Sequence, residues 1–152
     1  LLQHCTDEPV SIINVTAMAR ELGVTASTIV GAIDAVDSLI IKTIGEHEHT
    51  IEGTVHADGL PRVTNIEGRQ FDMVPTGHMV ALFNDDTPGM VGKVGEVFGS
   101  AKVNIDEMVI GHGDDEGMAM MIIKTNAAVT PELLKNLSNV DGVSKVAAAE
   151  ID

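Results

Sequence analysis

The most constraining feature of the chain is the regular alternation of strand-like and helix-like segments in its second half. Two helical segments begin at the pairs Thr87-Pro88 and Thr130-Pro131, and a Thr–Pro pair is typical of a helix start. Around them lie four strand-like segments: 78–84, 104–111, 118–125 and 143–150. The order β-α-β-β-α-β predicts a ferredoxin-like α+β domain in which two helices cover one face of an antiparallel sheet.

The first predicted helix carries an apolar stripe and three glycines. We expect it to run from Pro88 to about Ser100, with Thr87 as its N-cap. The stripe consists of Met90, Val91, Val94 and Phe98. The glycines Gly92, Gly95 and Gly99 share one side, and each disfavours the helix by roughly 0.5 to 1 kcal/mol relative to alanine. Their spacing predicts that the sheet beneath, a neighbouring subunit or a ligand comes close to this backbone.

The first half has the pattern of a smaller, hairpin-rich α+β domain. A short helix over 15–22 is predicted, capped by Asn14 and ended by Gly23. The expected strands are 24–33, 38–44, 49–57, 62–66 and 70–74. Because Pro75-Thr76-Gly77 breaks the pattern, we predict two domains, residues 1–76 and 77–152.

The charge balance excludes several classes of function. The 152 residues include 9 Lys+Arg and 23 Asp+Glu, which gives a formal net charge of −14, and there is no Tyr or Trp. Such a chain lacks the basic patch and the stacking rings that nucleic-acid binding requires, and an anionic membrane surface would repel it. No apolar run approaches the ~18 residues of a membrane-spanning helix.

The single cysteine and the first residue bear on the setting of the chain. Cys5 has no second cysteine to pair with, which favours a reducing, cytoplasmic location. The chain starts with Leu1 rather than methionine, which indicates that it derives from a longer protein.

A small polar group is expected where the first strand of the second half meets its helix. Asn84 and Asp86 leave the strand, and the free N–H groups of residues 89–92 carry the positive end of the helix dipole. These amides suit a carboxylate and Asp86 suits an ammonium group, so together they suit an α-amino acid zwitterion. The alternative is purely structural, with Asp86 favouring the helix start and Asn84 filling a turn.

The same segment carries a resemblance to a known family. The matching residues are Phe83-Asn84-Asp85-Asp86-Thr87-Pro88-Gly89, the glycine-rich helix that follows, and Val103-Asn104-Ile105. This pattern resembles the ACT domain that ends many D-3-phosphoglycerate dehydrogenases. The upstream part is similar to the intervening allosteric domain of the long form of that enzyme, in Asn14-Val15, Glu52-Gly53-Thr54-Val55 and Pro61-Arg62-Val63.

The resemblance implies a regulatory fragment that binds L-serine as feedback effector at an interface between ACT domains of a homodimer or tetramer. The effector-binding residues it implies are Asn84, Asp86, Gly89, Met90, Val91, Gly92 and Asn104. The fragment carries no catalytic residues and no cofactor of its own, because the dinucleotide fingerprint of an NAD-dependent dehydrogenase is missing from it. NAD is expected in a catalytic part outside this sequence. The alternatives are an assembly module without ligand and the regulatory part of an L-serine dehydratase.

Two further side-chain groups were candidates for binding. Arg62 and Arg69, with Lys42 as a third cation, form a possible anion site in the first half, and solvated surface is the alternative. His47 and His49 lie two positions apart, but a metal site requires three or four converging ligands, so we expect no metal. His78 and His112 flank strands and receive no assigned role.

Overall fold

The computed structural model describes residues 9–11, 13–23, 38–44, 48–114 and 117–151. By its contacts the chain divides into two compact units, Leu1–Val36 and Asp37–Asp152. The strand expected over 24–33, Cys5 and His47 lie outside the described residues. The predicted boundary at Gly77 falls inside the second unit and stays a prediction about domains.

The first unit contains one described helix, α1 (Val15–Glu21). Gly23 follows it with a φ of 73°, a left-handed conformation suited to glycine at a helix end. The expected cap by Asn14 is wrong, because its side chain turns away from the helix. The Asn14 Oδ1 accepts the Ser11 N–H at 2.7 Å, and its Nδ2 donates to the Pro9 carbonyl at 2.9 Å. The Asn14 side-chain amide thus bonds to the backbone of the preceding turn instead of capping the helix.

The second unit begins with a four-stranded antiparallel meander, in spatial order β1-β2-β3-β4, which we call the first sheet. Its strands are β1 (Ser38–Ile44), β2 (Glu48–Val55), β3 (Pro61–Ile66) and β4 (Arg69–Met73). The turn between β3 and β4 uses Glu67 and Gly68, both with positive φ, as a two-residue hairpin requires. The four hairpin strands predicted from residue 38 onward are therefore confirmed within two residues.

A second sheet follows in spatial order β6-β7-β5-β8, with all neighbouring pairs antiparallel. Its elements are β5 (Gly77–Asp85), α2 (Met90–Ser100), β6 (Ile105–His112), β7 (Met118–Thr125), α3 (Pro131–Ser138) and β8 (Val143–Ile151). This is the predicted ferredoxin-like β-α-β-β-α-β arrangement, and the predicted α+β fold class is confirmed.

Each face of the second sheet is buried against a different partner. On one face, strand residues such as Leu82 and Ile123 form a core with Phe98 of α2 and Leu137 of α3. On the other face, three buried residues of the first sheet pack against three of the second sheet: Val63, Phe71 and Met73 against Met79, Met120 and Ile122. The period-2 alternation along β5 and β7 thus separates a helix-covered face from a sheet-covered face.

The two helix starts differ from each other. In α3 the Thr130 Oγ1 accepts the Leu133 N–H at 3.2 Å and Pro131 occupies the first turn, as predicted. The predicted start of α2 is wrong: the helix begins at Met90, behind Gly89 with a φ of 93°, and it has no side-chain cap. Thr87 and Pro88 belong instead to the preceding turn, because the left-handed glycine after them breaks helical geometry.

The Thr130 cap gives a first testable result. Thr130→Ala should lower the free energy of unfolding by about 1 kcal/mol, since the Leu133 N–H loses its acceptor. Urea denaturation followed by circular dichroism measures the change. Thr87→Ala is the matched control and should change it by less than about 0.5 kcal/mol, because Thr87 caps nothing. Equal losses in both variants would contradict the assignment of the caps.

Candidate effector site at the start of helix α2

The site is built from the carboxyl end of β5, the turn behind it and the first turn of α2. Asn84 is the last buried residue of β5, with 1% of its surface exposed. It lies on the helix-covered face, in alternation with the buried Val80 and Leu82. Asp86 follows in the turn, where its N–H donates to the Gly117 carbonyl at 2.9 Å. The strand thus delivers one buried amide and one half-exposed carboxylate to the same corner.

Asn84 has an incomplete set of hydrogen bonds. Its Nδ2 donates to the Asp85 carbonyl at 2.8 Å, whereas its buried Oδ1 has no partner among the described residues. A buried polar atom left without a partner is unfavourable by about 1 to 3 kcal/mol. Native proteins keep few such atoms, and an ordered water, an ion or a bound group is the usual partner of one that remains.

The first turn of α2 lies directly after this corner. The Met90 N–H already donates to the Thr87 carbonyl at 3.3 Å. The N–H groups of Val91 and Gly92 have no acceptor inside the helix, and this end carries the positive end of the helix dipole. Met90 is buried in the core, whereas Val91 is 48% exposed. The expected apolar stripe is therefore wrong at Val91, and the buried stripe is Met90, Val94 and Phe98.

The glycines of α2 face open space. A Cβ placed on Gly92, Gly95 or Gly99 would have no described atom within 4 Å outside the helix itself and the neighbouring residues. The option that these glycines serve close packing on the sheet is therefore wrong, because the buried stripe lies on another side of the helix. The side towards α3 is different again, since Lys93, Glu96 and Ser100 line a groove with Asn136.

Asp86 has one close ionisable neighbour that the sequence did not assign. His112, the last residue of β6, places its Nδ1 3.1 Å from Asp86 Oδ2. Strand pairing explains the contact, since His112 and Asn84 both pair with Ala119 of β7 from opposite sides. Predicting this contact from the sequence requires the register of β5 and β6 on β7, which the residue types do not give.

Asn104 lies at the other end of the second sheet. It precedes Ile105, which pairs with Thr125 of β7, whereas Asn84 pairs with Ala119. Six residues of strand separate these rows by about 20 Å. Asn104 is exposed, and its Nδ2 donates to Asp106 Oδ1 at 3.0 Å. Within one chain, Asn84 and Asp86 lie two residues apart at one end of the second sheet and Asn104 lies at the other end, so the predicted set of site residues stays a prediction.

The cations of the predicted anion site already have partners. Arg62 donates to Asp58 Oδ2 at 3.1 Å and to Asp72 Oδ1 at 3.0 Å, and Lys42 lies 2.8 Å from Glu48. Arg69 is buried, with its guanidinium 5.0 Å from the centre of the Phe83 ring. Lys42 pairs with Thr50 and Arg62 with Thr54, so the two lie several residues apart along the sheet. The anion site stays a prediction without geometric support.

The Arg62 cluster has a defined electrostatic effect. The pKa of Asp58 lies below its usual 3.8, first because its carboxylate accepts the Leu60 N–H and second because Arg62 donates to it. The carboxylates of Asp58 and Asp72 in turn raise the pKa of Arg62. A carboxyl group whose pKa is lower in the folded state stabilises the fold at pH values above its pKa in the unfolded state. This stabilisation is lost as the pH falls through its pKa in the folded state. Since the Asp58 carboxylate is exposed to solvent, this contribution is small.

Metal binding and membrane insertion are two further possibilities for the described part of the chain. It contains no group of three or more His, Cys, Asp or Glu placed to hold a metal ion. None of its helices is long and apolar enough to cross a membrane.

Comparison with known families decides the nature of the second sheet and its helices. Residues 78–142 match the model of the ACT domain. This segment is an ACT domain. It runs from the second residue of β5 to the turn before β8, so the corner formed by Asn84, Asp86 and the start of α2 lies inside it.

Curated relatives extend the similarity beyond the ACT domain. The chain is 28% identical to D-3-phosphoglycerate dehydrogenase of Bacillus subtilis over 95% of its length, and 26% identical to that of Archaeoglobus fulgidus over 99%. It is 29% identical to the enzyme of Synechocystis over 94%. The chain spans only 26 to 29% of the length of these relatives. The expected resemblance is confirmed and is consistent with a C-terminal regulatory fragment built around the ACT domain.

Proposed function

We propose that this chain is an effector-binding regulatory part of a D-3-phosphoglycerate dehydrogenase, with L-serine as the effector of its ACT domain. ACT domains commonly bind amino acids and dimerise, and the relatives carry the enzyme's name. The catalytic part, its NAD and a cytoplasmic setting belong to this proposal as properties of the whole protein. A dinucleotide fingerprint in the adjoining upstream sequence is the feature that would separate this parent from a serine dehydratase.

The observation that carries the proposal is the unpartnered Oδ1 of Asn84. It is a buried acceptor at the end of β5, two residues before the half-exposed Asp86 carboxylate and shortly before the start of α2. An ammonium group supplies donors for the two acceptors, and a carboxylate accepts from the helix amides. An α-amino acid carries both groups on one carbon. Because the zwitterion has no net charge, a chain with a net charge of −14 does not repel it.

A second copy of the chain is proposed to complete the site. β6 is an edge strand, and its outer N–H and C=O groups have no strand partner in the described residues. In a two-fold pairing of β6 with its copy the strands run antiparallel, so the start of one β6 meets the end of the other. The partner's Asn104 would then lie near His112 and Asp86 of the first chain. The bare glycine side of α2 allows the copy to approach closely.

The regulatory mechanism follows from this shared site. Serine that bridges two chains favours the arrangement in which both halves of the site are in contact, and this constrains the attached catalytic parts. Coupling free energies of this kind are about 1 to 3 kcal/mol.

Calorimetric titration with L-serine and D-serine tests the proposal. Heat is expected from L-serine and little from D-serine, because with the ammonium and carboxylate groups held in place the D-enantiomer exchanges the positions of its hydroxymethyl group and its Cα hydrogen. Sedimentation under the same conditions establishes whether the dimer forms. A dimer that gives no heat with millimolar L-serine would contradict the proposal.

Asn84→Leu separates ligand binding from folding. An apolar side chain of similar size removes the unpartnered buried oxygen and also the Nδ2 bond to the Asp85 carbonyl, which keeps the Thr87 N–H as a donor. The two effects oppose each other, so the free energy of unfolding should change by less than about 1 kcal/mol. Binding of L-serine should be lost, since the buried acceptor is gone. Denaturation and calorimetry on the same preparation measure both quantities. Destabilisation by several kcal/mol would contradict the idea that the oxygen awaits a ligand.

The open β6 edge and the bare side of α2 also favour a second candidate, an assembly module that binds no effector. Asp86→Ala distinguishes the two functions. Loss of serine binding with an unchanged subunit count supports the effector site. A changed subunit count without any effect on serine supports the assembly module.

A further inference from the structure

The carboxylate proposed to receive the ammonium group is already in contact with a histidine. His112 Nδ1 lies 3.1 Å from Asp86 Oδ2, and both side chains are about half exposed, at 61% and 51%. The two groups come from the end of β6 and from the turn before α2, which are held in register through β7. A ligand that binds the Asp86 carboxylate therefore shares its two oxygens with the His112 imidazole.

We propose that His112 is a positioning residue for Asp86 and couples amino-acid binding to the release of a proton. This inference rests on the proposed effector site. Neutral His112 donates its Nδ1–H to Asp86 and orients the carboxylate, whose negative charge remains available to the ammonium group. Protonated His112 forms an ion pair that neutralises this charge and competes with the ammonium.

Among the residues that the structure describes, His112 is the cationic partner recorded for Asp86. On β7 the residue opposite His112 is the uncharged Ala119. From the first turns of α2, Lys93 points elsewhere, with its Nζ 3.2 Å from the Asp141 carbonyl. From the strand end, the Asp85 carboxylate lies by Gly142, within 3.2 Å of a Cβ placed there. Asp114 follows two residues after His112, and the sequence continues with Asp115 and Glu116.

The sign of the coupling follows from these charges. Uptake of a proton by the imidazole changes the charge of the Asp86–His112 pair from −1 to 0, and histidine is the type of side chain that ordinarily changes charge between pH 5 and 8. Binding of the ammonium group then has to displace the imidazolium or expel its proton. Affinity is therefore highest at the alkaline end and falls as the pH falls, while each bound ligand releases up to one proton.

The experiment is calorimetric titration of L-serine near pH 8 and near pH 6, each in two buffers with different ionisation enthalpies. The wild-type chain should bind severalfold more weakly near pH 6 than near pH 8, and at most about 100-fold more weakly, because one linked proton contributes at most a factor of ten per pH unit. Its observed heat near pH 6 should depend on the buffer, which measures the released proton. In His112→Asn the amide Nδ2 can replace the Nδ1–H donor but cannot titrate, so the affinity should become independent of pH and the heat independent of buffer.

His78→Asn is the matched control, since His78 Nδ1 lies 3.6 Å from Glu150 in another histidine–carboxylate pair of the same sheet. It should keep the wild-type pH profile. The same pH profile and proton release in His112→Asn as in the wild type would overturn this inference and leave the effector site standing. No binding by the wild type near pH 8 would overturn the proposed function itself and this inference with it.

Discussion

Asp86→Asn is expected to weaken L-serine binding by about 10- to 150-fold near pH 8. The change removes one negative charge but keeps the size of the side chain and an oxygen that can accept from His112. A hydrogen bond to a charged group contributes about 1.5 to 3 kcal/mol, which corresponds to this range of affinities. Calorimetric titration measures the dissociation constant directly.

The control for Asp86→Asn is Asp141→Asn. It removes the same charge from a fully exposed carboxylate, 3.6 Å from Lys93 in the turn before β8. Its affinity for serine should be that of the wild type, within about twofold, since exposed ion pairs contribute little. Equal weakening in both variants would show that serine responds only to the net charge of the domain, and would contradict the role of Asp86.

Phe71→Ala is expected to lower the free energy of unfolding by about 3 to 5 kcal/mol. Phe71 of β4 is 7% exposed and belongs to the core between the two sheets. Its ring lies against Gly111 of β6, where an added Cβ would collide with three ring atoms. Gly111→Ala should therefore also destabilise the fold, by about 1 to 3 kcal/mol through overpacking. Denaturant titration measures both losses.

The double variant tests whether the two losses have one cause. Once Phe71 is alanine, the ring that blocks the Gly111 side chain is gone, so Gly111→Ala should cost less than about 0.5 kcal/mol in that background. The two losses are then strongly non-additive, as expected for residues in direct contact. Strict additivity would contradict the packing of Phe71 on Gly111.

Much of the fold could be predicted because periodicity is a local property. Helix α3 begins and ends where Thr130, Pro131 and the leucine spacing indicate. The start of α2 could not be predicted in this way, since Thr87-Pro88 has the same signal and only the left-handed Gly89 overrides it. Asn14 failed as a cap for a similar reason, because its side chain has a competing partner in Ser11.

The site could be predicted in part. Asn84, Asp86 and the first turn of α2 are close in sequence, so their proximity in space follows from a single strand–turn–helix unit. Asn104 and His112 depend on strand register, which places His112 beside Asp86 and Asn104 about 20 Å from it. Residue types alone do not show which end of β6 lies beside the site within one chain. They also do not show which end would lie beside it in a pair of chains.

The central claim is that one binding site is shared between two chains, and subunit mixing tests it most directly. Asp86→Ala and Asn104→Ala should each bind L-serine poorly alone. After equimolar mixing and subunit exchange, half of the dimers carry one chain of each kind and one intact site. Titration should then recover about one quarter of the wild-type sites per chain, with wild-type affinity. A mixture that binds no more than its two components would contradict a site shared between chains.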